Sequence, residues 1–283
     1  MTAHPATAAT GSVASALHDA AALTGRIEVV FGNPTEPDWL PYRDLVRSER
    51  LPELLDAATT LCGGCPTRAA HTAAATLMAG DLATAFATPI AAALVAQHRA
   101  LLLDPNDVHV RIGPDGVHGL AVTAAHLALL PDDPLTGHHQ TTVVDDPTAL
   151  RTAAATSYAT LLTPLLEQVR AAVQRGHRAL WADAAERLAS AILLALRALD
   201  RPDHAPAEVA LLLAAAPPRL HKQIDWITVH HGDRQLPWKR RTVCCLAYHT
   251  PRWTGQYCAT CPLTPPADTI RRISAWLHNH DST

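Results

Sequence analysis

Four cysteines fall within eighteen positions near the C-terminus, and they are the residues of this chain best suited to bind a metal. They form an adjacent pair, a gap of twelve residues and a C-x-x-C pair: Cys244, Cys245, Cys258 and Cys261. The x-x spacing lets two thiolates converge from one tight turn, as in many zinc and iron–sulfur sites. Adjacent side chains in extended backbone point to opposite sides, so the Cys244–Cys245 backbone must kink for both sulfurs to reach one centre. Four thiolates favour zinc or an iron–sulfur centre over magnesium or calcium.

The spacing alone leaves several interpretations of these cysteines open. Zinc ribbons normally present two C-x-x-C pairs, and only Cys258 and Cys261 form such a pair in this segment. Disulfides are disfavoured because the N-terminus lacks the basic stretch and long apolar block of a secretion signal. Four unrelated buried cysteines would not be expected to cluster in so short a segment. Zinc and an iron–sulfur centre therefore remain equally open from spacing.

The sequence around the cysteines adds a family resemblance. The pattern Cys-Cys-(x12)-Cys-x-x-Cys-Pro follows Arg240 and Arg241 and has Tyr248 and Tyr257 between its cysteines. This pattern resembles the C-terminal signature of the FhuF-like ferric siderophore reductases. The segment around Trp181 also looks like the tryptophan-containing helix that precedes the signature in that family. The gap of twelve residues is two longer than is usual there, which a surface loop absorbs at little cost.

The resemblance implies a [2Fe–2S] cluster with Cys244, Cys245, Cys258 and Cys261 as its four ligands. It also implies an oxidoreductase that transfers one electron from the cluster to an Fe(III)–siderophore complex and releases Fe(II) in the cytoplasm. The implied partners are the ferric siderophore and an electron-donor protein such as a ferredoxin, with peripheral contact to a membrane transporter. Four thiolates without histidine predict a low reduction potential rather than a Rieske-like one.

Two other functions stay open beside this one. The chain could be a generic [2Fe–2S] electron-transfer protein that serves another enzyme. It could also be a zinc-stabilised binding module without a redox role. The glycines at 113, 116 and 119 lie in a hairpin pattern rather than at the start of a helix, so no nucleotide site is indicated. A reductase of this kind would therefore receive its electrons from another protein.

Residues beside the cysteines suggest a site for the substrate. Lys239, Arg240 and Arg241 would form a basic rim that attracts an anionic ferric complex or an acidic electron donor. They would equally well be the solvated end of a strand. Trp238 and Trp253 would provide an apolar floor for the siderophore or shield the cluster, although core packing is the simpler interpretation for either one.

Two further features carry weaker predictions. His249 lies four residues after Cys245, where it would donate a hydrogen bond to a cluster sulfur or simply be a loop residue. A second C-x-x-C, Cys62 and Cys65, precedes a predicted helix, and a helix N-terminus lowers the pKa of such thiols. This pair would be an accessory redox dithiol, an extra metal site or a chance pair, and the missing ligands and absent βαβ pattern favour chance.

Composition limits the class of protein. The chain has 283 residues, 48% of them hydrophobic, and a formal net charge of -3, so it lacks the basic excess of a nucleic-acid binder. No uninterrupted apolar run reaches the length of about 18 residues that suggests a membrane span. A cytoplasmic protein without a membrane span is expected. In that compartment six cysteines favour metal or redox roles over structural disulfides.

Hydrophobic periodicity predicts a mainly helical chain. The predicted helices are 52–61, 67–80, 82–103, 149–175, 178–199, 206–216 and 270–278; the predicted strands are 28–31, a hairpin over 108–122 and a second hairpin over 226–238. The fold class is therefore α+β, mainly helical with one or two small antiparallel hairpins and a C-terminal cysteine-rich cluster-binding segment. The expected organisation is a flexible lead over 1–22, a helical body over 23–222 and the cluster-binding segment over 223–283.

Overall fold

The computed structural model describes residues 27–47, 49–113 and 116–280, together with residues 13, 17 and 18. The first elements are β1 (Glu28–Phe31), β2 (Trp39–Pro41), α1 (Tyr42–Leu45) and α2 (Leu51–Leu61). The middle elements are α3 (Arg68–Gln97), β3 (Ala100–Leu102), β4 (Val108–Gly113), β5 (Gly116–Val122), β6 (His126–Leu129) and β7 (Thr141–Val143). The last elements are α4 (Pro147–Ala172), α5 (His177–Ala198), α6 (Ala205–Ala215), β8 (Asp225–His231), β9 (Arg234–Arg240) and α7 (Pro266–His280). The predicted α+β class, with helices in the majority and small sheets, is confirmed.

The central helix α3 differs from the prediction of two helices that separate near Gly80. Its N-terminus is capped by Thr67, whose hydroxyl accepts the N–H of Ala70 at 3.1 Å. The helix then runs without interruption through Gly80 and Pro89. A Cβ atom at Gly80 would lie 2.5 Å from the Arg187 guanidinium, so this glycine allows close packing against α5 rather than ending a helix. Tertiary packing of both halves outweighs the local cost of glycine and proline.

Helix α3 is also, among the described residues, the single helix long and apolar enough to cross a membrane by length and composition. Its most apolar window is 89% buried inside the fold. The helix packs against α2, α4 and α5, and against strands β3 and β5. A helix that is apolar on all faces is what such a central position requires.

Helices α4 and α5 are the two long helices that hydrophobic periodicity predicts in the second half of the chain. Asp146 caps α4 by accepting a backbone N–H at 2.8 Å. The chain becomes extended at Val173, so α4 ends before the predicted residue 175, and Gly176 directly precedes α5. The Tyr158 hydroxyl donates to the Ala184 carbonyl at 2.9 Å and ties the two helices together inside the core.

Two small sheets cover the helices. The four-stranded sheet has the order β1-β5-β4-β2, with β1 parallel to β5 and the other pairs antiparallel. The β4–β5 hairpin is the one predicted, although residues 114 and 115 of its turn lie outside the described residues. The second sheet, β3-β6-β7, contains three short strands that were not among the predicted strands. Strands β3 and β5 pack against α3, and strands β3 and β6 pack against α4.

The C-terminal part builds a small unit of its own. Strands β8 and β9 form the second predicted hairpin, with Asp225 paired to Arg240. Helix α7 packs on β8, and Val229, Ile273 and Leu277 form a hydrophobic cluster separate from the main core. The main core includes residues up to Ile224. The division into a body and a cluster-binding segment stays a prediction.

The predicted flexible lead over 1–22 lies outside the described residues except for positions 13, 17 and 18. Of these, Val13 and Leu17 are buried and belong to the main core cluster. At least these two positions therefore contribute apolar packing to the body.

Candidate metal centre

Three local structures bring the C-terminal cysteines together. The N–H of Arg241 donates to the Thr260 carbonyl at 2.9 Å and joins the segment before the first pair to the turn of the second. The N–H of Cys261 donates to the Cys258 carbonyl at 3.0 Å and closes the C-x-x-C turn. Leu246 has a φ of 64°, in the left-handed region. This residue turns the chain immediately after the adjacent cysteines.

The thiol of Cys245 interacts with the thiols of two of the other three cysteines. It is hydrogen-bonded to those of Cys244 and Cys258, and these bonds lower the pKa of Cys245 while raising the pKa values of Cys244 and Cys258. Negative charge on Cys261 further raises the pKa values of Cys244 and Cys258. All four cysteines are free of disulfides. The four predicted ligands therefore interact electrostatically in one part of the fold.

Polar groups of the backbone and one buried cation surround the sulfurs. The N–H of Leu246 donates to Cys244 Sγ at 3.4 Å, and a backbone hydrogen bond from Ala247 lowers the pKa of Cys245. The positive charge of Arg241 lowers the pKa of Cys245 further. N–H groups and cations at the sulfurs are the features by which proteins hold and tune iron–sulfur centres.

The donor set fits a soft metal centre of four thiolates. Across the described ranges, no three His, Cys, Asp or Glu side chains are placed as ligands of a metal ion. Ligation of a [2Fe–2S] cluster stays a prediction that these residues are chemically able to fulfil.

A buried ionic cluster on α5 supports the segment that leads into the cysteines. Asp183 is ion-paired with Arg241, and Arg187 lies 3.5 Å from its second oxygen. Burial alone would raise the pKa of Asp183, but the positive charges of Arg187, Arg241 and Lys239 hold it below its usual value. Glu186 is 1% exposed and lies 3.8 Å from Lys239 Nζ. Asp183 and Glu186 therefore neutralise the buried cations Lys239 and Arg241, which lie in β9 and directly after it.

Glu186 also fixes the backbone just before the cysteines. One of its oxygens accepts the N–H of Thr242 at 2.7 Å and the Thr242 hydroxyl at 2.8 Å. The same oxygen lies 3.4 Å from Lys222 Nζ. These contacts hold position 242, two residues before Cys244, against helix α5.

The predicted basic rim is wrong in its geometry. Lys239 and Arg241 are each 8% exposed and point into the ionic cluster of α5. Arg240 is half-buried, pairs with Asp225 at 3.0 Å and donates to the carbonyls of Pro262 and Thr264. These buried and half-buried cations stabilise the segment that carries the cysteines, residues 244–261. They do not form an exposed surface for a ferric complex.

The two tryptophans lie in different places. Trp238 packs edge-on against Trp276 in the small C-terminal core, and the Arg197 guanidinium lies 3.9 Å from its ring centroid. Trp253 lines an apolar cavity of about 260 Å³, and the Arg252 guanidinium lies over its ring. The structure therefore supports core packing for Trp238 and does not bring the pair together as one floor.

His249 is exposed, and its ring stacks on Tyr248 with centroids 4.1 Å apart. The backbone N–H of His249 donates a hydrogen bond to the Leu246 carbonyl at 2.9 Å. Its predicted role as a donor to a cluster sulfur gains no support from this position.

Two tyrosines beside the cysteines were not among the predicted site residues. The pKa of Tyr248 is raised by desolvation and then by negative charge on Cys244, Tyr257 and Cys261. Tyr257 packs edge-on against Tyr248 with centroids 5.1 Å apart and is 41% exposed. Their position between the cysteines in the sequence was the signal that could have found them.

An arginine from the α4–α5 connection also reaches the site. Arg175 donates from Nη2 to the Cys244 carbonyl at 2.6 Å, and its buried Nε has no hydrogen-bond partner among the described residues. Arg175 lines a cavity of about 480 Å³ together with Arg68, His71 and Arg170. This basic cavity therefore lies next to the first cysteine of the motif, on a side of the site that sequence reasoning did not indicate.

The Cys62–Cys65 pair is not at a helix N-terminus as expected. Cys62 directly follows the C-terminus of α2, and Thr67 rather than Cys65 caps α3. Burial raises the pKa of Cys62 to about 11 and also raises that of Cys65. The depressed pKa expected for this pair is therefore wrong, because the thiols face apolar packing instead of the N–H groups of a helix.

No known family model matches the chain, and no curated protein is significantly similar to it. The likeness to the FhuF-like reductases therefore depends on the cysteine signature and its neighbouring residues alone.

Proposed function

We propose that the chain holds a [2Fe–2S] cluster on Cys244, Cys245, Cys258 and Cys261, and that it transfers single electrons to a ferric siderophore inside the cell. The observation that carries this proposal is the electrostatically interacting group of four free thiols, built from two pairs twelve residues apart. When bound, the cluster would supply a one-electron carrier of low potential.

The residues around the thiols have separate tasks in this proposal. Arg241 places a buried positive charge beside Cys245 and so offsets the negative charge that four thiolates bring. Asp183 and Glu186 hold Arg241 and the neighbouring backbone in place from helix α5. The N–H groups of Leu246 and Ala247 point to sulfurs. Such contacts to sulfur, together with net charge and exposure, set the potential of an iron–sulfur centre.

The substrate would approach on the side of Tyr248 and Tyr257. Tyr257 presents its ring to solvent and packs against Tyr248, which interacts electrostatically with Cys244 and Cys261. The cavity that contains Arg68 and Arg175 lies at the Cys244 end and attracts negative charge. Siderophores hold Fe(III) with hard oxygen donors and bind Fe(II) less well, so a single electron is enough to loosen the metal.

The proposal is tested by mixing dithionite-reduced protein, purified without oxygen, with ferric siderophores in a stopped-flow spectrophotometer. We expect loss of the reduced-cluster absorption together with formation of Fe(II), which ferrozine traps as a coloured complex. Cys244→Ser should lose or shift the cluster spectrum, whereas the matched variant Cys65→Ser should keep it. A stable reduced cluster that no ferric siderophore oxidises would contradict the reductase function and favour a generic electron carrier. A colourless protein that contains zinc would contradict the cluster itself.

A further inference from the structure

The turn that contains Cys62 and Cys65 holds two thiols close together outside the proposed metal centre. Gly63 and Gly64 have φ values of 81° and 84°, in the left-handed region that glycine adopts readily. Their N–H groups donate back to the Thr60 and Thr59 carbonyls at 3.0 Å each. The chain therefore reverses after α2 and returns Cys65 to the end of that helix.

The thiols of this turn interact and differ in access. Cys65 Sγ donates to the Thr59 carbonyl at 3.9 Å, and negative charge on Cys65 raises the pKa of Cys62. Cys65 is half-buried, whereas Cys62 is 6% exposed and forms part of the wall of the apolar cavity beside Trp253. A disulfide is strongly oxidising when its reduced form is stabilised, for example as a thiolate. Burial disfavours the thiolate here, so the dithiol form of this pair lacks that stabilisation. A pair of this kind keeps its disulfide once formed until a dithiol reductant is present.

The same turn anchors the loop between the two halves of the proposed metal centre. The N–H of Arg252 donates to the Cys62 carbonyl at 3.1 Å, and the Arg252 guanidinium donates to the Leu61 carbonyl at 3.3 Å. A Cβ atom at Gly63 would lie 3.4 Å from Pro251 Cβ, so the two chain segments are in direct contact. Arg252 belongs to the twelve residues between Cys245 and Cys258. A change in the direction of the Cys62 carbonyl therefore acts directly on this loop.

We propose that Cys62 and Cys65 are a reversible redox pair whose closure to a disulfide loosens the anchor of Arg252. In the oxidation, two S–H bonds break, one S–S bond forms, and two protons and two electrons leave the pair. A small-molecule disulfide such as oxidised glutathione takes the electrons, and its own S–S bond breaks to give two thiols. The reaction begins at the more accessible Cys65 through a mixed disulfide, which Cys62 then resolves. Bringing the sulfurs to a bond length of about 2.05 Å moves the backbone at the flexible glycines, and with it the Cys62 carbonyl.

The inference is tested on the full chain without reference to the proposed cluster. Trypsin releases Cys62 and Cys65 in one peptide, residues 51–68, which contains no other cysteine. The protein is equilibrated with glutathione mixtures and with dithiothreitol, quenched, alkylated and analysed by mass spectrometry. We expect this peptide to lose both alkylation sites in oxidising glutathione, without a glutathione adduct, and to regain both in dithiothreitol. Cys65→Ser cannot close the ring and should leave position 62 as a thiol or a glutathione adduct.

The effect on the loop is read by amide hydrogen exchange over residues 249–256. We expect exchange at Arg252 to be several-fold faster in the disulfide form than in the dithiol form. The double variant C62S/C65S, which keeps the backbone turn, should match the dithiol form under both conditions. Two alkylated thiols at every glutathione ratio would overturn the redox pair, and equal exchange at Arg252 in both forms would overturn its action on the loop. Either result leaves the metal centre itself to the separate tests above.

Discussion

Replacing Lys239 by methionine should stabilise the protein at neutral pH, although the substitution removes an ion pair. Lys239 is almost completely buried, and burial lowers its pKa from 10.5 to about 8 even though Glu186 lies 3.8 Å away. This lowering corresponds to about 3 kcal/mol of unfavourable free energy for the charged form in the folded state. Glu186 keeps Lys222 and both hydrogen bonds of Thr242 in the variant, so no carboxylate is left without partners.

The pH dependence gives this prediction its sign. Between pH 8 and 10.5 the unfolded chain binds the proton of Lys239 while the folded chain releases it, so the stability of the wild type rises with pH in this window. Below pH 8 the full cost of the buried charge is present. Lys239→Met should therefore raise the free energy of unfolding by about 2 to 3 kcal/mol at pH 7, and this gain should disappear by about pH 10.5.

Urea unfolding of the metal-free protein at pH 7 and pH 10, followed by circular dichroism, measures both quantities. Lys222→Met is the matched control, because Lys222 contacts the same carboxylate from a more exposed position. Ionisation of the cysteines at high pH affects all three proteins equally and cancels in their differences. Destabilisation of Lys239→Met by several kcal/mol at pH 7 would refute the reasoning and show that the pair with Glu186 is strongly favourable in the interior.

Three further predictions concern the metal centre and its surroundings. Asp183→Asn should lower the free energy of unfolding by about 3 to 5 kcal/mol in urea, because it leaves the buried Arg241 without its closest countercharge; a loss below 1 kcal/mol would contradict this. Arg68→Gln should slow oxidation of the reduced protein by anionic N-succinyl-ferrioxamine B more than by cationic ferrioxamine B, which shares its hydroxamate ligands; the exposed Arg43→Gln is the control, and equal slowing by both complexes would contradict a role of the basic cavity. Tyr248→Phe should keep the cluster spectrum, because the ring and not the hydroxyl packs on Tyr257, and loss of the spectrum would show a structural role for the hydroxyl.

Much of the helical framework could be predicted from local sequence signals. The apolar periodicity located α4, and the glycine-containing turns located both hairpins. The predicted helix bounds are wrong where contacts with a distant part of the chain determine the local structure. Gly80 resembles a helix stop in isolation, but it is the contact point of α3 with Arg187 on a helix about a hundred residues later. Local propensity is a weak guide at such positions.

The candidate site was predictable in its cysteines but not in its electrostatics. Two pairs of cysteines with defined spacing indicate a common centre, and the chain turns at Leu246, directly after the first pair. Three consecutive basic residues before the motif look like a charged surface. The burial of Lys239 and Arg241 depends on Asp183 and Glu186, which lie three residues apart on the inner face of α5 and meet these cations only in the folded chain. Acidic residues inside an apolar helical stripe were the available signal.

The content of metal and acid-labile sulfide per chain, measured on protein purified without oxygen, tests the central claim most directly. The account predicts two irons and two sulfides per chain, no stoichiometric zinc, and a paramagnetic signal from a single unpaired electron after one-electron reduction. Replacement of any one of Cys244, Cys245, Cys258 and Cys261 should lower both contents. One zinc per chain without sulfide, or iron and sulfide that survive replacement of Cys245, would contradict the proposed ligands and with them the proposed function.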